Sequence, residues 1–243
     1  GLASRGVVVE AYHAGLSPKE RSRIQDRFLG GGCRVVVATN AFGMGIDKPD
    51  VRLVAHMQLP STLEAYYQEA GRAGRDGDPA WCVALHRRGD DGLARRFLDR
   101  THPRLRTLRR LHGWLEGATD GRGVAEESLG TVARALGRGR GIGEALGALR
   151  ALERCRGIRA LEPIPEEEEG TGRVRAGLQT VRVGVRRRPD LGVAARLRRR
   201  SLAKIGAVQR YARARTCRRR TLLTYFGEET SDRCGSCDRC SPT

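Results

Sequence analysis

Lysine is almost missing from this 243-residue chain: Lys19, Lys48 and Lys204 are the only lysines among 46 basic residues. Aromatic residues supply just 5% of the sequence, and the 28 acidic residues leave a formal net charge of +18. Such an imbalance suits a polyanionic partner, most simply nucleic acid. Arginine makes bidentate phosphate contacts that lysine cannot, although a genome rich in arginine codons gives the same bias. No apolar run approaches the roughly 18 residues that a membrane span requires. No leader of basic, apolar and small residues opens the sequence, which argues against export and membrane insertion.

The chain opens Gly1-Leu2-Ala3-Ser4 without Met, as expected of a stretch taken from a longer protein. Its length suits one large domain or two to three small ones. Seven cysteines are present. Cys33, Cys82 and Cys155 sit among apolar neighbours and are expected as buried thiols. Cys217, Cys234, Cys237 and Cys240 gather near the C-terminal end, the last three as two overlapping C-x-x-C steps. Each step aims two thiolates at one point, and four thiolates suit tetrahedral Zn²⁺. A disulfide at this spacing is strained, and a redox dithiol does not need four cysteines. Four thiolates leave no coordination position for water, so the expected zinc is structural. Arg218, Arg219, Arg220, Arg233 and Arg239 can offset its net negative charge.

Residues 6–86 alternate strand and helix patterns. Val7-Val8-Val9 is a short apolar run, and Ser17-Pro18-Lys19-Glu20 is a capping box with Pro at the first helical position. The helix that follows should bury Ile24 and Phe28 and stop at Gly30. Cys33 to Ala38 is continuous and β-branched, the pattern of a strand covered on both faces. Leu53 to Met57 and Trp81 to Leu85 are further strands, with a helix through Tyr67 to Ala70 between them. This order predicts an α/β unit with a parallel sheet, whose ligands lie at the loops after the strand C-ends.

The alternation stops near Asp99. Leu105, Leu108, Leu111 and Leu115 recur at helical spacing, and Leu129 to Leu136 and Ile142 to Leu152 form two more amphipathic stretches. Short strands are expected at 157–161 and near 181–185, around an acidic loop at 163–172. Three helices and a two-stranded ribbon match a winged-helix module, with a plain helical linker as the alternative. The third helix would be the groove reader. Glu166, Glu167, Glu168 and Glu169 repel phosphate, so the wing tip should stay in solvent. Residues 190–215 read as a basic helix with an apolar stripe of Leu197, Leu202, Ile205, Val208 and Tyr211. Leu222, Leu223, Tyr225 and Phe226 read as a packed helix ended by Gly227.

Two segments go further than composition: ATNAFGMGIDKPDVR (Ala38–Arg52) and YYQEAGRAGRDG (Tyr66–Gly77). Gly43 and Gly45 permit close backbone approach to phosphate or nucleotide. Thr39 can donate to a phosphate oxygen, and Asp47 can accept from a ribose hydroxyl. Arg72 and Arg75, three apart on one expected helical face, can reach a phosphate presented from outside this domain. Such an arginine stabilises the charge of phosphoryl transfer.

These two segments resemble motifs V and VI of RecQ-family DNA helicases. Tyr12-His13-Ala14-Gly15-Leu16 is similar to the motif just upstream. Cys217-Arg218-Arg219, Tyr225-Phe226-Gly227-Glu228 and Cys234 to Cys240 resemble the RecQ zinc-binding domain. The resemblance covers residues 6–88 and about 196–240. It implies part of an ATP-dependent 3′-to-5′ DNA helicase acting in replication, recombination and repair. Arg75 would be the arginine finger and Arg72 its support at the phosphates. Gln68, Gly45 and Asp47 would serve the nucleotide, and His13 and Thr39 the single-strand track. Its partner would be DNA, as single strands and duplex junctions.

The resemblance also implies a division of labour. Residues 1–100 would be an N-terminally truncated second RecA-like domain, 101–189 a winged-helix-like insert and 190–243 the zinc-binding domain. The family's usual order places the winged helix after the zinc domain, so the insert's role in strand separation is open. The P-loop G-x-x-x-x-G-K-[ST] and the Walker-B box are absent. ATP and Mg²⁺ would therefore be held mainly by a missing N-terminal RecA-like domain acting in cis, and this chain alone would not hydrolyse ATP. A non-enzymatic zinc-dependent DNA-binding module with a vestigial motor is the alternative. Family and thiol usage together point to the bacterial cytoplasm, at the nucleoid.

Overall fold

The computed structural model describes residues 3–43, 46–87, 89–164, 180–186, 188–230 and 233–241. The chain divides into two compact units, Gly1–Leu59 with Glu64–His86, and Pro60–Leu63 with Arg87–Thr243.

In the first unit, β1 (Val9–Tyr12), α1 (Pro18–Leu29) and β2 (Val35–Ala38) are followed by β3 (Leu53–His56), α2 (Leu63–Ala70) and β4 (Trp81–Ala84). The capping box starts α1: Ser17 accepts from the Glu20 amide, and Glu20 accepts from the Ser17 amide at 3.0 Å. Ile24 buries the inner face of α1. Phe42 stacks edge-on against Tyr12 at 4.8 Å and Phe28 at 5.5 Å. Gln25 donates to the Tyr12 hydroxyl at 3.0 Å, which pins α1 to β1.

β1 pairs with β2 and β3 with β4, both parallel, as the alternation of patterns predicts. They form two separate pairs among the described residues, not one sheet. The strand expected to be covered on both faces is half-open: Val37 is 57% exposed, as is Leu53, and Trp81 reaches 67%. β4 is exposed at Trp81, Cys82 and Val83 in succession, so neither of its faces is fully covered. Cys33 is buried as expected, whereas Cys82 is exposed.

The second unit comprises α3 (Asp91–Thr101), α4 (Leu105–Gly117), β5 (Val124–Ser128), α5 (Leu129–Leu136) and α6 (Ile142–Arg154). It continues with β6 (Ile158–Ile164), β7 (Thr180–Val185), α7 (Leu191–Arg213) and α8 (Arg218–Tyr225). The strands form an antiparallel sheet of order β5-β7-β6. Leu108, Leu111, Leu115, Val132, Leu149 and Leu152 are fully buried and pack with Val181 and Val183 of β7. The amphipathic stretches thus bury most of the predicted positions, but Ile142 at the start of α6 is exposed and Leu105 is half-buried. β5 carries two glutamates and has no strand signature. Pairing supplies it: Glu126 stands opposite Arg182 and accepts from it at 2.9 Å. The acidic loop at Glu166–Glu169 lies outside the described residues.

Two placements differ from expectation. α3, assigned by the 1–100 boundary to the first domain, belongs to the second unit and packs on α6 and α7. Arg100 donates to Glu144 at 2.9 Å, Arg154 to the Thr101 carbonyl at 3.0 Å, and Arg198 pairs with Asp99 at 2.7 Å. α8 was expected to be packed, but it buries no residue, and Tyr225 and Phe226 are exposed. Its first turn is three arginines, which leaves too few apolar side chains to form a buried face.

At Gly147 the backbones of α3 and α6 touch: a Cβ there would lie 1.9 Å from the Arg100 carbonyl oxygen. Gly143, one turn earlier, faces open space. Gly147→Ala is expected to destabilise the chain by roughly 1–3 kcal/mol through overpacking. Gly143→Ala should stabilise it by about 0.5–1 kcal/mol through helix propensity. Thermal unfolding of the two variants reads the opposite signs.

Candidate nucleotide and metal sites

α2 ends at Ala70, so Arg72 and Arg75 do not share a helical face as expected. They project from the turn at 71–76. Glycine forces this. Gly74 has φ +65°, and a Cβ there would lie 2.9 Å from the Asp78 carbonyl oxygen and 3.0 Å from the Ala80 Cβ. The turn is also sewn to the preceding segment: the Gly74 amide donates to the Val51 carbonyl at 3.0 Å and the Asp76 amide to the Pro49 carbonyl at 3.3 Å. Arg52 ion-pairs with Asp76 from the same side.

This stitching brings the two predicted motifs together. Arg72 is half-buried and donates to the Ile46 carbonyl at 3.3 Å. Arg75 donates to Asp47 at 2.7 Å and to the Gly71 carbonyl at 3.2 Å. The Arg75 and Asp47 side chains are 42% and 82% exposed, so water screens their pair and an anion can displace the carboxylate. Neither guanidinium is locked in the interior.

His13 and Thr39 follow β1 and β2 directly. Their strands pair in register to Tyr12 and Ala38, and the Thr39 amide donates to the Tyr12 carbonyl at 3.1 Å. Both residues are exposed, side by side at the C-terminal end of the strand pair. The His13 Nδ1 accepts from the Gly15 amide at 3.2 Å, which orients its ring. Gln68 is exposed on α2. Gly45 lies outside the described residues.

Sequence reasoning missed His56. At the end of β3 it is 8% exposed, its Nε2 meets Glu69 at 2.8 Å and Tyr66 packs on it at 5.0 Å between ring centroids. The pair ties α2 to β3 and so sets where the Gly71 turn begins. A lone histidine at a strand end carries no sequence signal; only Glu69 inside the second motif hints at it.

In the second unit the four sulfurs of Cys217, Cys234, Cys237 and Cys240 lie within 4.8 Å of one another. Cys217 caps α8, and the other three come from the turn at 233–241. A tetrahedral zinc with bonds of about 2.3 Å needs sulfurs about 3.8 Å apart, and Cys234 and Cys240 stand at 3.9 Å. Backbone amides favour the thiolates: the Arg218 amide donates to Cys237 and the Cys234 amide to Cys217, each at 3.4 Å. The Ser236 amide brings the Cys234 thiol down to about 6, and the Arg220 amide lowers Cys217. The donor set therefore fits zinc. Arg218 does more than offset charge. It grips Asp238 through two bonds of 2.8 and 2.9 Å and lies over the Tyr211 ring at 5.5 Å, joining α7 to the cysteine turn. Its guanidinium holds the Asp238 carboxyl below the usual range.

Comparison with known proteins gives the class first. Residues 2–77 match the helicase conserved C-terminal domain. Residues 180–241 match the RecQ zinc-binding family. The chain is 56% identical to mouse ATP-dependent DNA helicase Q4 over 85 residues, which is 35% of this chain and 7% of that protein. It is 51% identical to rat ATP-dependent DNA helicase Q5 over 37% of this chain and 9% of that protein. It is 48% identical to the RecQ-like DNA helicase blm-1 of Caenorhabditis elegans over 40% of this chain and 10% of that protein. The chain thus spans a small fraction of these relatives' length. The two domain matches and these relatives together make the chain similar to the C-terminal part of RecQ-family helicases over these segments. No helix among the described residues is long and apolar enough to cross a membrane.

Zinc titration should saturate at about one metal per chain. Chelation should lower the thermal transition, because closing the turn at 233–241 onto α8 depends on the metal. Cys237→Ser should lose stoichiometric binding in a colorimetric release assay, whereas Cys155→Ser should retain it.

Proposed function

We propose that this chain is the trailing part of an ATP-dependent DNA-unwinding motor: a second RecA-like lobe joined to a zinc-stabilised DNA-binding region. The arginine geometry carries this reading. Arg72 and Arg75 sit on one exposed glycine-built turn, stitched to the Ile46–Asp47 segment, where a nucleotide presented by another lobe can meet both. Arg75 is the finger that leaves Asp47 for the γ-phosphate, and Asp47 is then free to accept from the ribose. Arg72, held by the Ile46 carbonyl, supports the phosphates from a fixed position. Gln68, exposed one turn before Arg72, couples nucleotide state to DNA, and Gly45 allows the close approach of the nucleotide. His13 and Thr39, side by side at the C-terminal end of the β1–β2 pair, contact the backbone of the single strand.

The sequence contains no G-x-x-x-x-G-K-[ST] stretch, so a first RecA-like lobe in cis supplies the phosphate cradle and the Mg²⁺ ligands. A vestigial motor has no use for an intact arginine pair held on the Ile46–Asp47 segment, which disfavours a purely DNA-binding module. Division into a half-motor, a winged-helix-like insert and a zinc-binding region fits this reading, with α3 joined to the insert and not to the half-motor. The named relatives come from mouse, rat and a nematode and lend no support to a bacterial location.

In the protein containing both lobes, Arg75→Ala should reduce DNA-stimulated ATP turnover by about a thousandfold or more, with the KM for ATP less affected. Unchanged turnover in a steady-state phosphate-release assay would remove Arg75 from the finger role.

A further inference from the structure

Within the second unit, α4, β5, α5, α6, β6 and β7 with sheet order β5-β7-β6 have the topology of a winged-helix module. In such modules the third helix, here α6, enters the major groove. Part of that helix is covered. The backbone of α3 meets α6 at Gly147, where not even a methyl group fits, and Arg100–Glu144 and Arg154–Thr101 close the seam on either side. α3 therefore occupies part of the α6 surface, and Glu153 stands among the positions α6 leaves exposed, where a carboxylate repels phosphate.

The free charge is elsewhere. The loop 137–141 between α5 and α6 is Gly-Arg-Gly-Arg-Gly, with Gly137 at φ 115° and Gly139 at φ 74°. Arg140 lines a surface hollow with Arg104 and Thr107 of the α4 end and Leu136 of α5. Arg110 donates to the Leu136 carbonyl at 3.5 Å, and Arg106 lies one turn before it on α4. The two carboxylates bordering the hollow are already engaged: Asp99 by Arg198 at 2.7 Å and Glu144 by Arg100 at 2.9 Å. Among the described residues, Arg106, Arg110, Arg138 and Arg140 have no carboxylate within 4.0 Å. No aromatic side chain lines the hollow, so unstacked bases would find no platform.

We infer that Arg106, Arg110, Arg138 and Arg140, at the junction of α4 with the α5–α6 loop, form a docking surface for the phosphate backbone of duplex DNA, in place of a groove-reading α6. The inference deepens the nucleic-acid part of the proposed function and rests on it. Contacts made through phosphates alone give binding that is insensitive to sequence and weakened by salt.

The test is fluorescence anisotropy of a labelled DNA duplex titrated with the whole zinc-loaded chain, without nucleotide. Replacing Arg106, Arg110, Arg138 and Arg140 together by Ala should weaken binding by at least about tenfold at 0.1 M salt. The slope of log affinity against log salt should also become shallower, by about 0.9 per lost contact. Arg138→Glu with Arg140→Glu, confined to an exposed loop and checked for an unchanged thermal transition, should weaken it similarly. Arg150→Ala, on an exposed position of α6, should leave it unchanged. Wild-type affinity in both loop-bearing variants would overturn the proposal. So would an equal loss in Arg150→Ala, or competition by polyglutamate as effective as by unlabelled duplex, which would point to an acidic protein partner. Because nucleotide is absent, a failed ATPase test would leave this result intact. Unchanged binding in the variants would overturn the surface and leave the motor reading standing.

Discussion

The first unit depends on a backbone that only glycine permits. At Gly74 the chain passes through the left-handed region with the Asp78 carbonyl pressed against the place where a side chain would be. That turn ends α2, reverses the chain into β4 and leaves two guanidiniums facing the segment that follows β2. A side chain at Gly74 would push the turn away from the Val51 carbonyl and separate Arg72 from Ile46 and Arg75 from Asp47. The His56–Glu69 pair fixes the other end of the same element, so the arginine turn is held from below by a buried contact and from the side by amide bonds.

Charge is distributed by the same logic. A chain with net charge +18 must either pair its arginines or present them. Those at contacts between elements are paired: Arg198 with Asp99, Arg100 with Glu144 and Arg218 with Asp238. These pairs act as seams between elements, joining α3 to α7, α3 to α6 and α8 to the cysteine turn. Arg75 differs, since its partner Asp47 is 82% exposed and the bond competes with water. An ion pair of that kind contributes little to stability and holds a side chain where an incoming anion can collect it.

Much of this was legible in the sequence, for identifiable reasons. The Ser17–Glu20 box, the leucine spacing of α4 to α6 and the cysteine steps are local patterns, and each formed where the pattern lies. Motif order brought Asp47 and Arg75 to one place because both flank short connections of one parallel unit. What the sequence hid was non-local. β5 exists through its pairing with β7, α3 packs on α6 through the contact of Gly147 with the Arg100 backbone and an ion pair of Arg100 with a glutamate 44 residues away, and His56 acquires meaning only beside Glu69. The β-branched run of β2 read as doubly covered because the covering elements cannot be counted from the strand itself. Arg72 and Arg75 read as helical because three-residue spacing is shared by helices and by glycine turns.

In the proposed motor, Arg75 exchanges Asp47 for a γ-phosphate offered by a partner lobe. The most direct measurement is the affinity of this chain for a first RecA-like lobe, by calorimetry, with that lobe carrying either ADP or a non-hydrolysable ATP analogue. Tighter association is expected in the ATP-analogue state, with loss of that difference in Arg75→Lys, whose ammonium cannot make the bidentate contact. Equal affinity in both nucleotide states for the unmodified chain would contradict the exchange.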